Sequence, residues 1–249
     1  FNGEVFDNIR VRHRGQSSLG VSKKHWKVDF NKDHRFLTPF DNHPEVDNIN
    51  IQSSYGDKSF LREWLSYKAW MDVDRPGLEM WHVRLYVNGT YRGLYINLEN
   101  ADQDWMDRTG LDQEGWLWKS YSEAKGGTGG FEMEEDAGNP AAANTALGTF
   151  ISNMNTLTGQ SLVDYINTNM NVDAFVDFLA IHQLIHNCDH PAKNYFVYAD
   201  EDAPVGSWTY YGWDMDLTHG RNFECAGGGV YNDTIRSDMF NDPQLLFAT

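Results

Sequence analysis

Residues 81–99 constrain the fold more than any other stretch of this chain. Val83, Leu85 and Val87 alternate into Asn88-Gly89, and Leu94, Ile96 and Leu98 alternate out. Successive side chains on a strand point to opposite faces, so each run has one apolar side. Asn-Gly supplies the two positive-φ positions of a tight turn, and the stretch is predicted to be a β-hairpin.

The first hundred residues around it read as mostly strand with one helix. Ile9 to Arg14 alternates, and Gly15-Gln16-Ser17-Ser18-Leu19-Gly20 is a small-residue turn. Trp26, Val28 and Phe30 alternate against His25, Lys27 and Asp29, a half-buried strand. From Ser59 to about Asp72, Phe60, Leu61, Trp64, Leu65 and Ala69 recur at helical spacing, with Asp57 or Ser59 as N-cap. Residues 122–140, with Gly126-Gly127-Thr128-Gly129-Gly130 and Glu132, Glu134, Glu135 and Asp136, read as a linker-like surface loop. Helices are predicted over Ala141 to about Asn155, over Leu162 to Asn167, and from Val172 to Ile185 behind an Asn171 cap. Phe196–Tyr198 and Trp208–Tyr211 are expected to pair as a small hairpin.

The formal net charge is −16, which excludes nucleic acid and anionic membrane surfaces as expected partners. Residues 1–35 run against that trend. They carry Arg10, Arg12, Arg14, Lys23, Lys24, Lys27, Lys32 and Arg35 against Glu4, Asp7, Asp29 and Asp33. A basic patch in an acidic chain fits a polyanionic ligand, and it fits a solvated sheet face equally well. No apolar run is long enough to span a bilayer. The two cysteines, Cys188 and Cys225, allow either a disulfide or two separate thiols.

The helix from Val172 runs into Cys188-Asp189-His190-Pro191-Ala192-Lys193-Asn194, and Trp213-Asp214-Met215-Asp216 follows the small hairpin. An Asp, an Asn five positions on, a hairpin and a second Asp form the layout of a protein-kinase-type site. In that layout Asp189 accepts the proton of the attacking hydroxyl, Asn194 reaches a Mg²⁺ ion, and Asp214 binds the metal that bridges the ATP phosphates. Lys193 is expected near the transferred phosphate. Asp216 is expected on the opposite side of an extended segment, on a second ion or bracing the loop. The spacing matches while the flanking letters differ, since no His-Arg precedes Asp189 and no Phe-Gly follows Asp214. Arg14-Gly15-Gln16-Ser17-Ser18 reads as a phosphate-covering turn, with Arg14 and Ser17 as contacts, or as a plain hairpin turn. Lys24 and Lys27, on opposite faces of one strand, compete as the phosphate-pairing lysine, with Glu63 as a candidate counter-charge.

Several segments, in order over nearly the whole chain, resemble the CotH spore-coat kinase family of atypical protein kinases. They are Arg12-His13-Arg14-Gly15-Gln16-Ser17-Ser18, residues 23–30, Tyr55-Gly56-Asp57-Lys58-Ser59-Phe60-Leu61-Arg62, residues 85–95 with Glu99, Asp189 to Asn194, and Trp213-Asp214-Met215-Asp216. The resemblance implies an α+β, kinase-like two-lobed fold over 1–249, with a strand-rich N-terminal lobe (1–100) and a mostly helical C-terminal lobe (101–249). It implies ATP with Mg²⁺ or Mn²⁺ as cofactors and phosphoryl transfer to Ser or Thr of a protein substrate. A monomer at an extracellular, cell-surface or spore-surface location is expected, without a membrane span. The stop at Thr249 leads us to expect that a C-terminal part of the family domain is missing. Glu99 resembles the family's hinge-side glutamate, in nucleotide contact or in a structural salt bridge.

Two other classes are carried beside this one. The first is a non-catalytic adhesion or binding module on the same fold. The second is a zinc hydrolase built on His182 and His186, four apart on one helix but lacking the Glu that such a motif places beside its first His.

Overall fold

Two antiparallel sheets and five α-helices organise the computed structural model, which describes residues 3–15, 17–40, 45–187, 189 and 193–219. Cys188, Pro191, Cys225 and the Ser17 side chain lie outside the described residues, and with them the disulfide expectation. The first half supplies β1 (Arg10–Arg14), β2 (His25–Asp29), the short pair β3 (Phe36–Leu37) and β4 (Glu45–Val46), and β5 (Asn48–Gln52). It continues with α1 (Arg62–Met71), β6 (Met80–Val87) and β7 (Thr90–Leu98). The second half supplies α2 (Gln103–Thr109), β8 (Trp116–Ser120), β9 (Phe131–Glu135), α3 (Pro140–Thr156), α4 (Gly159–Asn169), α5 (Val172–Leu184), β10 (Tyr195–Ala199) and β11 (Thr209–Gly212). This is an α+β chain.

The five-stranded sheet has the order β1-β2-β5-β7-β6. The β6–β7 turn carries Asn88 at φ 50° and Gly89 at φ 74°, the geometry its dipeptide dictates. Cross-strand register divides the sheet into two unlike faces. On one, Val28, Ile49, Ile51 and Tyr95 pack with Phe30 and Phe36 as a small core. On the other, Arg14 lies opposite His25, and Arg12, Lys27, Asn50 and Leu98 follow one another across the strands. That second face turns toward α1, α2 and the larger core.

Helix α1 lies on this polar face, and its orientation departs from its sequence pattern. The buried side carries Glu63, Ser66, Tyr67 and Trp70, whereas Leu61, Trp64 and Leu65 are exposed. Tyr67 and Trp70 dominate the packing, because burying a large side chain contributes about 1.5–3 kcal/mol and two aromatics outweigh scattered leucines. The formal N-cap, Leu61, makes no side-chain cap bond. Asp57 performs that task from four residues upstream, accepting from the backbone N–H groups of Ser59, Leu61 and Arg62 at 2.9–3.0 Å. It also ion-pairs with the Arg62 guanidinium.

The second half is less purely helical than its sequence predicts. It contains a four-stranded sheet in the order β11-β10-β8-β9. The stretch read as a linker holds β9, because Phe131 pairs with Ser120, Glu132 with Lys119 and Met133 with Trp118. The large core fills the space between this sheet, α3, α5 and α1. Trp118, Trp208 and Phe150 stack in series there, with centroids 5.7 and 4.2 Å apart. Gly212 ends β11 in contact with Trp70 of α1; a Cβ there would stand 3.1 Å from that ring and 1.8 Å from Met215 Cε.

Candidate active site

The loop after α5 and the segment after β11 meet through backbone hydrogen bonds. Asn194 N donates to Ser120 O of β8, and Trp213 N donates to Asn194 O, both at 3.1 Å. These bonds bring Asp189, Lys193, Asn194 and Asp214 to one place. Asn194 and Asp214 both take left-handed backbone, at φ 65° and 55°. That conformation is unusual for a non-glycine residue and is held only where surrounding contacts fix it.

Asn194 is buried, and its Nδ2 donates to the Asp189 carbonyl (3.2 Å) and to Asp189 Oδ2 (2.8 Å). Lys193 Nζ lies 3.0 Å from Asp189 Oδ1. Asp189 N in turn donates to Asn187 Oδ1 at 3.0 Å. The carboxylate is thus fixed from both sides by the groups its sequence spacing placed beside it. Burial raises its pKa, the bond from Lys193 opposes that rise, and the Asp214 charge adds to it.

Asp216 lies within electrostatic reach of Asp214. Residues 215–217 turn, so strand alternation does not apply, and Asp216 joins the same acidic cluster. Its carboxyl is pushed well up by burial and by the charges of Asp214, Glu63, Asp189 and Asp57. Glu63 enters the cluster from α1. Its Oε1 accepts from Gln52 Nε2 at 3.0 Å, Gln52 Oε1 meets His25 Nδ1 at 3.0 Å, and burial followed by the Asp214 charge raises Glu63 to about 8. The buried partner of Glu63 is therefore a glutamine, in place of the lysine expected from sequence. The Tyr67 hydroxyl sits beside the Asp214 backbone.

The cations come from β1 and β8. The Arg14 guanidinium lies 5.5 Å from the Trp213 ring centroid, and Lys119 Nζ lies 4.0 Å from it. Asp214 and Glu134 act electrostatically on both. Arg14 therefore stands beside the Trp213-Asp214 turn. Lys119, Glu134 and Glu63 are the members that motif spacing did not single out as a set.

Other expected contacts fall elsewhere. Lys24 Nζ donates to Leu19 O at 2.5 Å and ties the 3-10 turn over Ser17–Gly20, away from the acids. Lys27 stands on the Arg12 row of the site-facing side, and its charge reaches Glu134. Glu99 is a salt bridge: Arg108 Nε and Nη2 donate to its two oxygens at 2.7 and 2.6 Å, and Glu79 N donates to Oε2 at 2.9 Å. The histidine pair does not converge. His182 is buried against Trp70 and Phe178, with its Nδ1 3.1 Å from Asn187 Nδ2. His186, past the end of α5, is exposed at φ 49°. The helix ends between the two rings, so the i, i+4 geometry a zinc pair needs is lost.

The donor set fits a hard divalent cation. Burial, and after it the neighbouring carboxylates, raises the pKa values of Asp189, Asp216 and Glu63, and a cation would relieve that repulsion. Among the described residues no three acidic, His or Cys side chains stand close enough to enclose an ion alone. An ion that keeps water and ligand oxygens in its shell suits such a half-built site.

The fold is an α+β domain in which acidic and basic side chains from both antiparallel sheets gather around the Asp214 turn. Residues 11–245 match the family described as CotH kinase protein. The chain belongs to the CotH family. It is similar to inner spore coat protein H of Bacillus subtilis (strain 168), at 22% identity over 251 residues that take in 94% of this chain and 64% of that protein. The chain thus spans less than two thirds of that relative's length.

Proposed function

We propose that this chain transfers the terminal phosphoryl group of ATP to a Ser or Thr hydroxyl of a protein substrate, with Mg²⁺ or Mn²⁺. The observation that supports the reading is the proximity of Asp189, Lys193 and Asn194 to Asp214 and Asp216. In this reading the five-stranded sheet with α1 is the N-terminal lobe, and the four-stranded sheet with α3–α5 is the C-terminal lobe.

Asp189 accepts the proton of the attacking hydroxyl at its Oδ atoms. Asn194 and Lys193 hold that carboxylate in one orientation, and its raised pKa favours taking up a proton as the bond forms. Asp214 and the Asn194 amide oxygen would hold the divalent ion, with Asp216 beside them. The bound ion supplies charge neutralisation on the phosphate oxygens. Arg14 adds positive charge at the same site. Positioning and electrostatics do most of the work in phosphoryl transfer, and these residues provide both.

The relative's name speaks of the inner spore coat, and we extend a coat or cell-surface location to this chain as part of the proposal. Among the described residues no helix is long and apolar enough to cross a membrane.

Labelled ATP with Mn²⁺ or Mg²⁺ tests the reading, scored by autophosphorylation and by transfer to a Ser/Thr-rich acceptor protein. Asp189→Asn and Asp214→Ala are each expected to lower the rate by about 100-fold or more. A wild-type chain that neither binds nor turns over ATP, with Asp214→Ala indistinguishable from it, returns the molecule to the adhesion-module class.

A further inference from the structure

Two cations at the site feel Asp214 and Glu134 through space but make no direct polar contact with them. Neither Arg14 nor Lys119 forms a side-chain hydrogen bond or ion pair with another described residue, and Arg14 Nη1 is fully buried without a partner. Lys119 is only 8% exposed. Both approach one ring, that of Trp213, at 5.5 and 4.0 Å from its centroid. Burying an unpaired cation is costly, and placing a second one on the same ring adds repulsion. Cation–π attraction offsets part of that cost, about 1–2 kcal/mol per contact. The arrangement is complete once an anion with several oxygens reaches both donors.

We propose that Arg14 and Lys119 form a clamp for one phosphate group of the bound triphosphate, with the Trp213 ring as their common floor. The inference deepens the kinase reading and rests on it. Trp213 immediately precedes Asp214, so the clamp and the metal-binding carboxylate are one residue apart on a single turn. A phosphate gripped by the cations therefore presents its remaining oxygens toward the ion side of the site. Lys119 takes the part for which Lys24 and Lys27 compete in the sequence, since Lys24 is occupied by the Leu19 carbonyl. The choice of phosphate over a carboxylate ligand follows from the acidic cluster alongside, which calls for a ligand that shares its charge with a divalent ion.

Inorganic tripolyphosphate, titrated without divalent ion and read by calorimetry, tests the clamp directly. Lys119→Met and Arg14→Met should each weaken it by about 10- to 100-fold, as expected for losing a charge-assisted hydrogen bond. Lys119→Arg should retain most of the affinity, and the surface variant Lys68→Ala all of it. In the kinase assay the clamp variants should raise the KM for ATP more than they lower kcat. Unaltered protein provides a check that does not depend on variants folding. A nucleotide acyl phosphate should acylate Lys119 Nζ, forming an amide as the acyl–phosphate bond breaks and the nucleotide leaves, and peptide mass spectrometry locates the modified lysine. Wild-type affinity in Lys119→Met, or labelling confined to other lysines, overturns the clamp. Phosphate transfer with an unchanged KM in Lys119→Met sinks the clamp and leaves the kinase reading standing. Lys119-dependent tripolyphosphate binding in a chain that transfers nothing keeps the clamp and sinks the kinase reading.

Discussion

Glu99 directly follows β7, where the chain crosses from the first sheet toward α2, and its two oxygens face the Arg108 fork at 2.6–2.7 Å. Burial pushes its carboxyl up to about 7, and Arg108 opposes that rise. Both partners are largely buried, at 11% and 13% side-chain exposure. Removing one member of such a pair leaves the other uncompensated. Glu99→Ala is therefore expected to cost about 3–5 kcal/mol in urea unfolding. Glu99→Gln keeps an acceptor for Arg108 and Glu79 N, so it should cost less than half as much and leave the KM for ATP within about twofold. A KM that rises tenfold in a well-folded Glu99→Gln would return this residue to nucleotide contact.

At the scale of elements, local chemistry was legible where one principle dominates. Asn88-Gly89 fixes its hairpin, and Asn171 caps α5 by accepting from Ala174 N at 3.0 Å. Helix α1 was legible in position but not in facing. Its apolar stripe is Leu61, Trp64 and Leu65, yet the buried side carries Glu63 toward Gln52 and Ser66 toward Thr218. Here hydrogen-bond partners and the two large aromatics, rather than the apolar stripe, decide which side is buried. β8 escaped notice because Trp116–Ser120 is buried at every position and has no alternation to read. β9 was masked by its glutamates, of which Glu132 and Glu134 act on Lys119 while Glu135 lies beside Asp102 and Gln103. The Asp189, Asn194 and Asp214 set was readable because its spacing is local to one loop and one hairpin. Lys119, Glu134 and Glu63 arrive from three distant elements, so no spacing connects them. Gly212 is a further element-scale joint. Gly212→Ala forces a Cβ between Trp70 and Met215, and while the Met215 side chain can yield, the Trp70 ring has little freedom. We expect a loss of about 1–3 kcal/mol in thermal unfolding, with a larger proportional loss of phosphate transfer because residues 213–216 shift with it. Full activity alongside lowered stability would uncouple this joint from the site.

Across the whole molecule, the buried acids make stability depend on pH and on ions. Glu63 is raised from 4.5 to about 8, so the folded state keeps a proton that the unfolded chain has released. For a raised carboxyl, stability is highest below the unfolded pKa and falls as pH climbs toward the folded one. Glu99 and Glu135, each raised to about 7, act in the same direction up to that value. His25, lowered to about 4 by burial and then by Arg14, acts oppositely and completes its effect by pH 6.5. In the window from 6.5 to 8 the acids dominate, and Lys119, lowered to about 8 by burial and Arg14, opposes them only toward its upper end. In that window, with chelator present, the melting temperature should fall as pH rises. Glu63→Gln, which keeps the acceptor for Gln52, should flatten that slope, its advantage over wild type widening by roughly 2 kcal/mol between pH 6.5 and 8. Mn²⁺ with a non-hydrolysable ATP analogue should also recover stability at pH 8, by about 2.7 kcal/mol at a hundredfold excess over Kd. Asp214→Ala should lose that ligand-dependent gain while being no less stable than wild type in chelator, because one of the repelling charges is gone. A melting temperature that rises from pH 6.5 to 8 in chelator, or an ion-dependent gain that survives Asp214→Ala, would mean that the acids around α1 and β11 neither repel one another nor share a cation.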